Sequence, residues 1–291
     1  MTDLSANPGP EAPLPGLETT PAAETGVRLR MGAGAPGVER LAAAFDGRAF
    51  APHRHDTYAI GITTHGVQSF RYRGTRRACL AGQMHVLHPD ELHDGAAGAP
   101  GGFGYRILYV DPALILAALD GRPLPFVADP VVGATAIDPV LLQGLADLDA
   151  PLGDIESAEL VGGLADMLGR LDRSIPQSAP GGRLPVAALE RVRRLIADDP
   201  ATRHTAAALE AVSGLDRWTL ARQFRRAFGT SPSRYRTMRQ LDLARAAMRR
   251  GMALSEAALD AGFADQSHMS RAFKRGYGLT PARWAGAVAA R

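Results

Sequence analysis

The sequence predicts an α+β fold in two parts: a small antiparallel β-barrel or sandwich trailed by helices, then an all-α C-terminal half. Three observations predict it. Between Val27 and about Val110, short apolar runs such as YAIGITTHG, QSFRYRG, MHVLHP and FGYRILYVD are broken by turn residues every ten or so positions, the rhythm of short antiparallel strands. From Arg183 onward the apolar spacing is helical. Within that half, His204–Tyr235 and Ser255–Trp284 align at an offset of 49 residues, with Phe224 on Phe273, Arg222 on Arg271 and Ser231-Pro232 on Thr280-Pro281.

A chain of 291 residues is long enough for two cores. Composition divides it into a Pro- and Gly-rich tail over 1–26 expected to be disordered, a barrel domain over 27–173, a linker over 174–186 that opens with SIPQSAPGG, and a helical domain over 187–291. The apolar runs are too short for a membrane span, and acidic residues and prolines stand where a signal peptide needs a basic start. Cys79 is the single cysteine, so the chain has no internal disulfide framework, and a cytoplasmic location is expected. Its strand, RRACLAG, has arginines that favour a reactive thiolate, but a lone strand cysteine is more often inert.

The net charge of +3 hides an asymmetry. From Arg183 onward there are 20 Lys+Arg against 9 Asp+Glu, and before it 13 against 21. A basic half joined to an acidic one points to double-stranded DNA as the partner of the basic half.

Behind the strands, Asp111 can cap a helix over Pro112–Leu119, and further helices are expected over Pro139–Leu148 and Ile155–Leu171. Leucines 160, 164, 168 and 171 form one stripe on the third. The stripe suits either the barrel surface or its own copy in a second subunit.

The repeated unit reads as a helix-turn-helix. In the first copy, Ala206–Val212 stops at Gly214, Asp216 caps Arg217–Phe228, and Leu220, Phe224 and Phe228 recur on the face opposite Trp218, Arg222 and Arg225. In the second, the turn Gly262–Asp265 leads into a helix with Met269, Phe273 and Tyr277 inward and Gln266, Ser267, His268, Arg271 and Lys274 outward. A helix over Tyr235–Arg250, apolar at Met238, Leu241 and Ala244, joins the copies rigidly, so both recognition helices can enter successive major grooves about 34 Å apart.

The stretch GFADQSHMSRAFKRGYGLTP resembles the signature of the AraC/XylS family of bacterial transcription regulators, and residues 187–286 are similar throughout. The resemblance implies base contacts from Trp218, Ala221 and Arg222 in the first unit and from Gln266, Ser267, His268 and Arg271 in the second. It implies phosphate contacts from Arg225, Arg226, Lys274 and Arg275, and RNA polymerase as a further partner. His268 departs from the smaller or amide residues common at its position.

Six of the eight histidines lie between His53 and His93. PHRHDTYAIG, GVQSFRYRG and AGQMHVLHPDELHDG resemble the cupin-type sensor domain of the same family over residues 45–110. The implied architecture is a cupin-like barrel that holds a small-molecule effector and pairs chains into a homodimer. His53, His55, Tyr58 and His93 are the ligand-binding candidates. An HxH pair on a strand puts both rings on one face, and with His93 it makes a three-imidazole site suited to a divalent Zn, Fe or Mn. The glutamate that metal-binding cupins place after HxH is missing, since Thr57-Tyr58-Ala59-Ile60 stands there, and Asp56 points away from His55 on a regular strand. His65, His85 and His88 are read as ordinary barrel residues. The expected function is that of an effector-controlled, sequence-specific DNA-binding regulator, not an enzyme. The alternative is a metal-dependent cupin enzyme of dioxygenase or isomerase type fused to a DNA-binding anchor.

Overall fold

The computed structural model describes residues 27–172 and 184–289, so the expected tail and most of the expected linker lie outside the described residues. Nine strands form the first part: β1 (Val27–Met31), β2 (Val38–Phe45), β3 (Arg48–His53), β4 (Tyr58–Tyr72), β5 (Thr75–Leu80), β6 (Met84–Leu87), β7 (His93–Ala97), β8 (Phe103–Val110) and β9 (Val131–Val132). All pairings are antiparallel. One layer runs β1-β2-β8-β4-β6-β9, while β5 and β7 pair with the far half of β4 and β3 pairs with β7. The 15-residue β4 serves both layers because a register shift between Thr63 and His65 bends it, with Gly66 at φ +68° seated against Gly102 where a Cβ would collide. The result is the cupin-like barrel.

Both faces of the main layer are buried, which explains the near-continuous apolar runs. Ala59, Leu41, Tyr105 and Ile107 face the barrel interior, and Tyr58, Ile60, Ile62 and Leu108 face a helical layer. That layer is α1 (Pro112–Ala118), α2 (Pro139–Ala146) and α3 (Asp154–Leu171). Asp111 accepts from Ala113 N at 2.8 Å and Asp138 from Val140 N at 3.1 Å, each ahead of a proline at the first helical position. Leu160, Leu164 and Leu168 of α3 are buried in the same cluster as Ile60 and Leu108. The leucine stripe therefore covers the barrel of its own chain. Two buried arginines on strands hold α2 in place: Arg40 donates to Gly144 O at 3.2 Å and Asp147 O at 2.9 Å, and Arg106 to Leu145 O at 2.8 Å. They satisfy carbonyls at the helix end, where the dipole also favours positive charge.

The second part is all helical: α4 (Val186–Asp198), α5 (Ala206–Ser213), α6 (Arg217–Phe228), α7 (Pro232–Arg249), α8 (Leu254–Asp260), α9 (Gln266–Tyr277) and α10 (Pro281–Ala289). The joining helix α7 starts three residues before the expected Tyr235 because Ser231 Oγ accepts from Arg234 N at 3.3 Å ahead of Pro232. No helix among the described residues is long and apolar enough to cross a membrane. The hydrophobic clusters do not follow the two parts. The core of the second helical unit (Met238, Leu241, Phe263, Phe273, Trp284) is continuous with the barrel interior. The core of the first (Leu220, Phe224, Phe228) joins α4 and Leu116 of α1.

Candidate DNA interface and effector cavity

Each recognition helix is fixed at both ends by its own sequence. Asp216 accepts from Trp218 N and Thr219 N at 3.0 Å, and Asp265 from His268 N at 2.6 Å. Gly229 and Gly278 close α6 and α9 in the left-handed conformation, φ +70° in both. The buried stripes are as expected at Leu220, Phe224 and Phe228 and at Met269 and Phe273, while Tyr277 is half-buried against Arg245.

All the residues expected to contact DNA lie exposed on these two helices. In α6 they are Trp218, Ala221, Arg222, Arg225 and Arg226; in α9 they are Gln266, Ser267, His268, Arg271, Lys274 and Arg275. Trp218 is 77% exposed, so a large aromatic is held in solvent with no packing role to explain it. The His268 ring stands edge-on to Phe263, 5.3 Å between centroids, which limits its swing. Arg225 is already engaged, 3.4 Å from Asp90 of the barrel.

The barrel grips the helical half behind this surface. Ala51 N donates to Gly278 O and Arg54 N to Arg275 O, both at 3.1 Å, so β3 and the loop after it cap the C-terminal end of α9. A Cβ on Gly278 would come within 2.7 Å of His53 Nδ1, and one on Gly229 within 2.6 Å of Pro89. Barrel carboxylates meet buried or half-buried arginines: Glu39 with Arg245 at 2.7 Å, Asp56 with Arg239 at 3.0 Å, Asp111 with Arg193 at 3.0 Å, and Asp90 with Arg234. Sequence reasoning missed this contact. The charge asymmetry was its signal, and part of that opposition is spent inside the molecule.

A cavity of about 260 Å³ lies at the barrel mouth, closed by the helical half. The barrel supplies Leu29, Leu41, Phe50, His53, His55 and Tyr109, and the helical half supplies Met238, Arg239, Asp242, Arg245 and Trp284. The three candidate histidines converge, with ring centroids 4.2 Å apart for His53 and His93, 4.9 Å for His55 and His93, and 6.1 Å for His53 and His55. His55 lies past the end of β3 in a loop, which is why Asp56 also reaches the cavity and is not turned away as strand alternation suggested. Each ring presents Nδ1 to a carbonyl at 2.9 Å, of Ala51, Thr57 and Glu91 respectively. A carbonyl only accepts, so Nδ1 carries the proton and Nε2 keeps its lone pair.

Burial, reinforced by the neighbouring imidazoles, holds His53 and His55 well below the usual histidine range. Burial also brings His93 down to about 4. All three are neutral at neutral pH. Asp56 is pushed up to about 6 by burial, against the pull of Arg239.

Tyr58 does not join the site. Its ring faces the helical layer and its hydroxyl donates to Pro125 O at 2.9 Å. For a divalent metal the fit fails: the imidazoles gather, yet no group of three His, Cys, Asp or Glu side chains among the described residues is arranged to hold an ion. Cys79 is buried, and burial raises its thiol to about 11, the reverse of what its neighbouring arginines suggested. His88 is tied into the barrel, accepting from Val127 N at 3.0 Å on Nε2 and bonded to the Tyr72 hydroxyl at 2.7 Å through Nδ1.

Residues 35–165 match the family model of the AraC-like ligand binding domain, and residues 209–287 match a helix-turn-helix domain. Among solved structures, the chain is similar to ToxT of Vibrio cholerae strain SCE256 with an unsaturated fatty acid bound, at 14% identity and TM-score 0.62, covering 91% of this chain and 96% of that one. It is also similar to ToxT of Vibrio cholerae O395 bound to (E)-4-(8-methylnaphthalen-1-yl)but-3-enoic acid, at 13% identity and TM-score 0.58, covering 90% and 98%. Comparison with curated protein sequences finds no match. With both family domains in order on one chain, each on the part whose geometry calls for it, the protein belongs to the AraC family of transcription regulators, with an N-terminal cupin-like ligand-binding domain and a C-terminal helix-turn-helix domain that binds DNA.

Proposed function

We propose that the protein reads a two-part DNA target with α6 and α9, and that an effector in the cavity at the barrel mouth adjusts how those helices are held. One observation carries this reading: the two cavity histidines stand one step from the C-terminal ends of the two recognition helices. The strand bearing His53 caps α9 through Gly278 and Arg275. On the other side, His55 O accepts from Asp90 N at 2.7 Å, and Asp90 pairs with Arg225 of α6 and Arg234 of α7. A molecule touching both imidazoles is therefore felt at both helices. It shifts their arrangement by as much as it prefers one grip over the other.

Carboxylic acids are bound by the ToxT structures, which supports an organic effector for this fold. In this reading the phosphate contacts come from Arg225, Arg226, Lys274 and Arg275, and the base contacts from Trp218, Arg222, Gln266, His268 and their neighbours. Any pairing of two chains uses a face other than the leucine stripe, which is already covered, and contact with RNA polymerase is left to the outer surface. The test is a gel shift on promoter fragments. A discrete complex is expected, lost in Arg222→Ala and Arg271→Ala. Equal binding to every fragment by the intact protein overturns the reading.

A further inference from the structure

We infer that the interdomain cavity takes a small protonated amine carried on an apolar body; this rests on the effector reading above and names its ligand class. His53 and His55, only 6% and 5% exposed, line the cavity with Nδ1–H spent on carbonyls, so each offers a bare Nε2 lone pair. Nothing among the described residues meets those lone pairs, and what does must donate.

The terminal nitrogens of the wall's arginines are engaged by carboxylates, and the Nε of Arg239 and of Arg245, which has no hydrogen-bond partner among the described residues, is buried with no surface to offer a ligand. Arg245 gives Nη1 and Nη2 to Glu39 at 3.1 and 2.7 Å, and Arg239 Nη2 lies 3.0 Å from Asp56 and 3.2 Å from Asp242. Their guanidinium faces are covered too, Arg239 by Tyr235 and Arg245 by Tyr277 and Trp284. In charge, the wall holds Glu39, Asp56, Asp111 and Asp242 against Arg239 and Arg245. Arg193 reaches Asp111 from outside but brings Glu190 with it, and Arg234 acts on His53 and His55 but is matched by Asp90. Arg249 acts on Glu39, which leaves a surplus of one negative charge.

These facts rank three kinds of head group. A carboxylate meets guanidinium groups already paired with the wall's own carboxylates, and like charge, in a site where charges are poorly screened. A hydroxyl matches the lone pairs and leaves the charge unused. An ammonium matches both, and the rings of Phe50 and Tyr109 also line the cavity. The rest of the wall, with Leu29, Leu41, Met238 and Leu279, suits an apolar body. At about 260 Å³ the cavity falls just under the ~300–1,000 Å³ of ordinary ligand pockets, which keeps the ligand small.

The experiment sets three heads on one body: 3-phenylpropylamine, 3-phenylpropan-1-ol and 3-phenylpropanoate, each at millimolar concentration with the full chain. Melting temperature and binding to a promoter fragment are read in parallel. The amine is expected to raise Tm by several degrees, the alcohol less and the acid not at all. The gain is expected to vanish in His55→Phe, which keeps a ring and removes the lone pair. The order of the three heads on the unaltered chain is decisive even if that variant folds poorly. An acid that stabilises as much as the amine, or an amine that gives no shift, overturns the inference. Amine binding that leaves DNA affinity unchanged upholds the ligand class and removes the effector reading, and DNA binding that responds to the acid does the reverse.

Discussion

Gly278 shows how much one missing side chain holds together. It sits at φ +70° with His53, Ala51 and Phe50 all within 2.9 Å of where a Cβ would be, whereas Gly214, at φ +71°, has nothing within 4 Å. Alanine at either position takes on the left-handed penalty of roughly 1–2 kcal/mol. Only at Gly278 must it also push the barrel away from α9. Urea unfolding is expected to rank Gly278→Ala as clearly the more destabilising, and equal losses would show that the barrel contact contributes nothing. The buried histidines set a pH dependence. Burial is the first cause for each: it takes His85 to about 3 and His88 and His93 to about 4, and His53 and His55 also fall well below 6.5, with Arg234 adding to the effect. The unfolded chain then takes up protons near pH 6.5 that the folded chain refuses, so stability is full above that pH and falls as pH drops toward 4. At pH 5 each histidine carried to about 4 costs about 2 kcal/mol. Asp56, raised to about 6, opposes this between 3.8 and 6 as one group against five. A lower urea midpoint at pH 5 than at pH 7.5 is expected, and an unchanged one rejects the burial of these rings.

At the scale of elements, α6 and α9 were legible in the sequence almost to the residue, because caps, turn glycines and a four-residue apolar repeat are local chemistry. The trailing helices were legible for the same reason. What covers them was not: the leucines of α3 fit a barrel or a partner equally well until Ile60 and Leu108 were seen beneath them. The site was half legible. His53, His55 and His93 come together as expected, but Tyr58 turns to the other face, and α7, which supplies Arg239 and Arg245, was read only as a connector. Periodicity reports which face of a helix is buried and is silent on what buries it. Asp90 makes the element-scale test. At φ +62° it occupies a conformation that Asn also tolerates, so Asp90→Asn removes the charge with little strain. Arg225 then reaches phosphate without first breaking the pair with Asp90, so DNA affinity is expected to rise while the slope of log affinity against log salt, which counts phosphate contacts, stays the same. An affinity that does not rise means Arg225 never exchanged barrel for DNA.

For the whole molecule, the two recognition helices differ in what they present, so the target is asymmetric. Arg222→Ala is expected to relax selectivity in one half of a footprint and Arg271→Ala in the other, each by about 1–3 kcal/mol per lost base contact. Selectivity lost evenly across the site in both variants would place these arginines on the backbone. The path of the hydrophobic cores adds a consequence for how the molecule comes apart. Barrel interior and second helical unit share one continuous cluster, while the first unit packs with α4 and Leu116 in another. Regions that share a core open together. Amide exchange is therefore expected to sort the protein into blocks that cross the boundary drawn from composition, with α9 exchanging at the pace of the strands and α6 on a clock of its own.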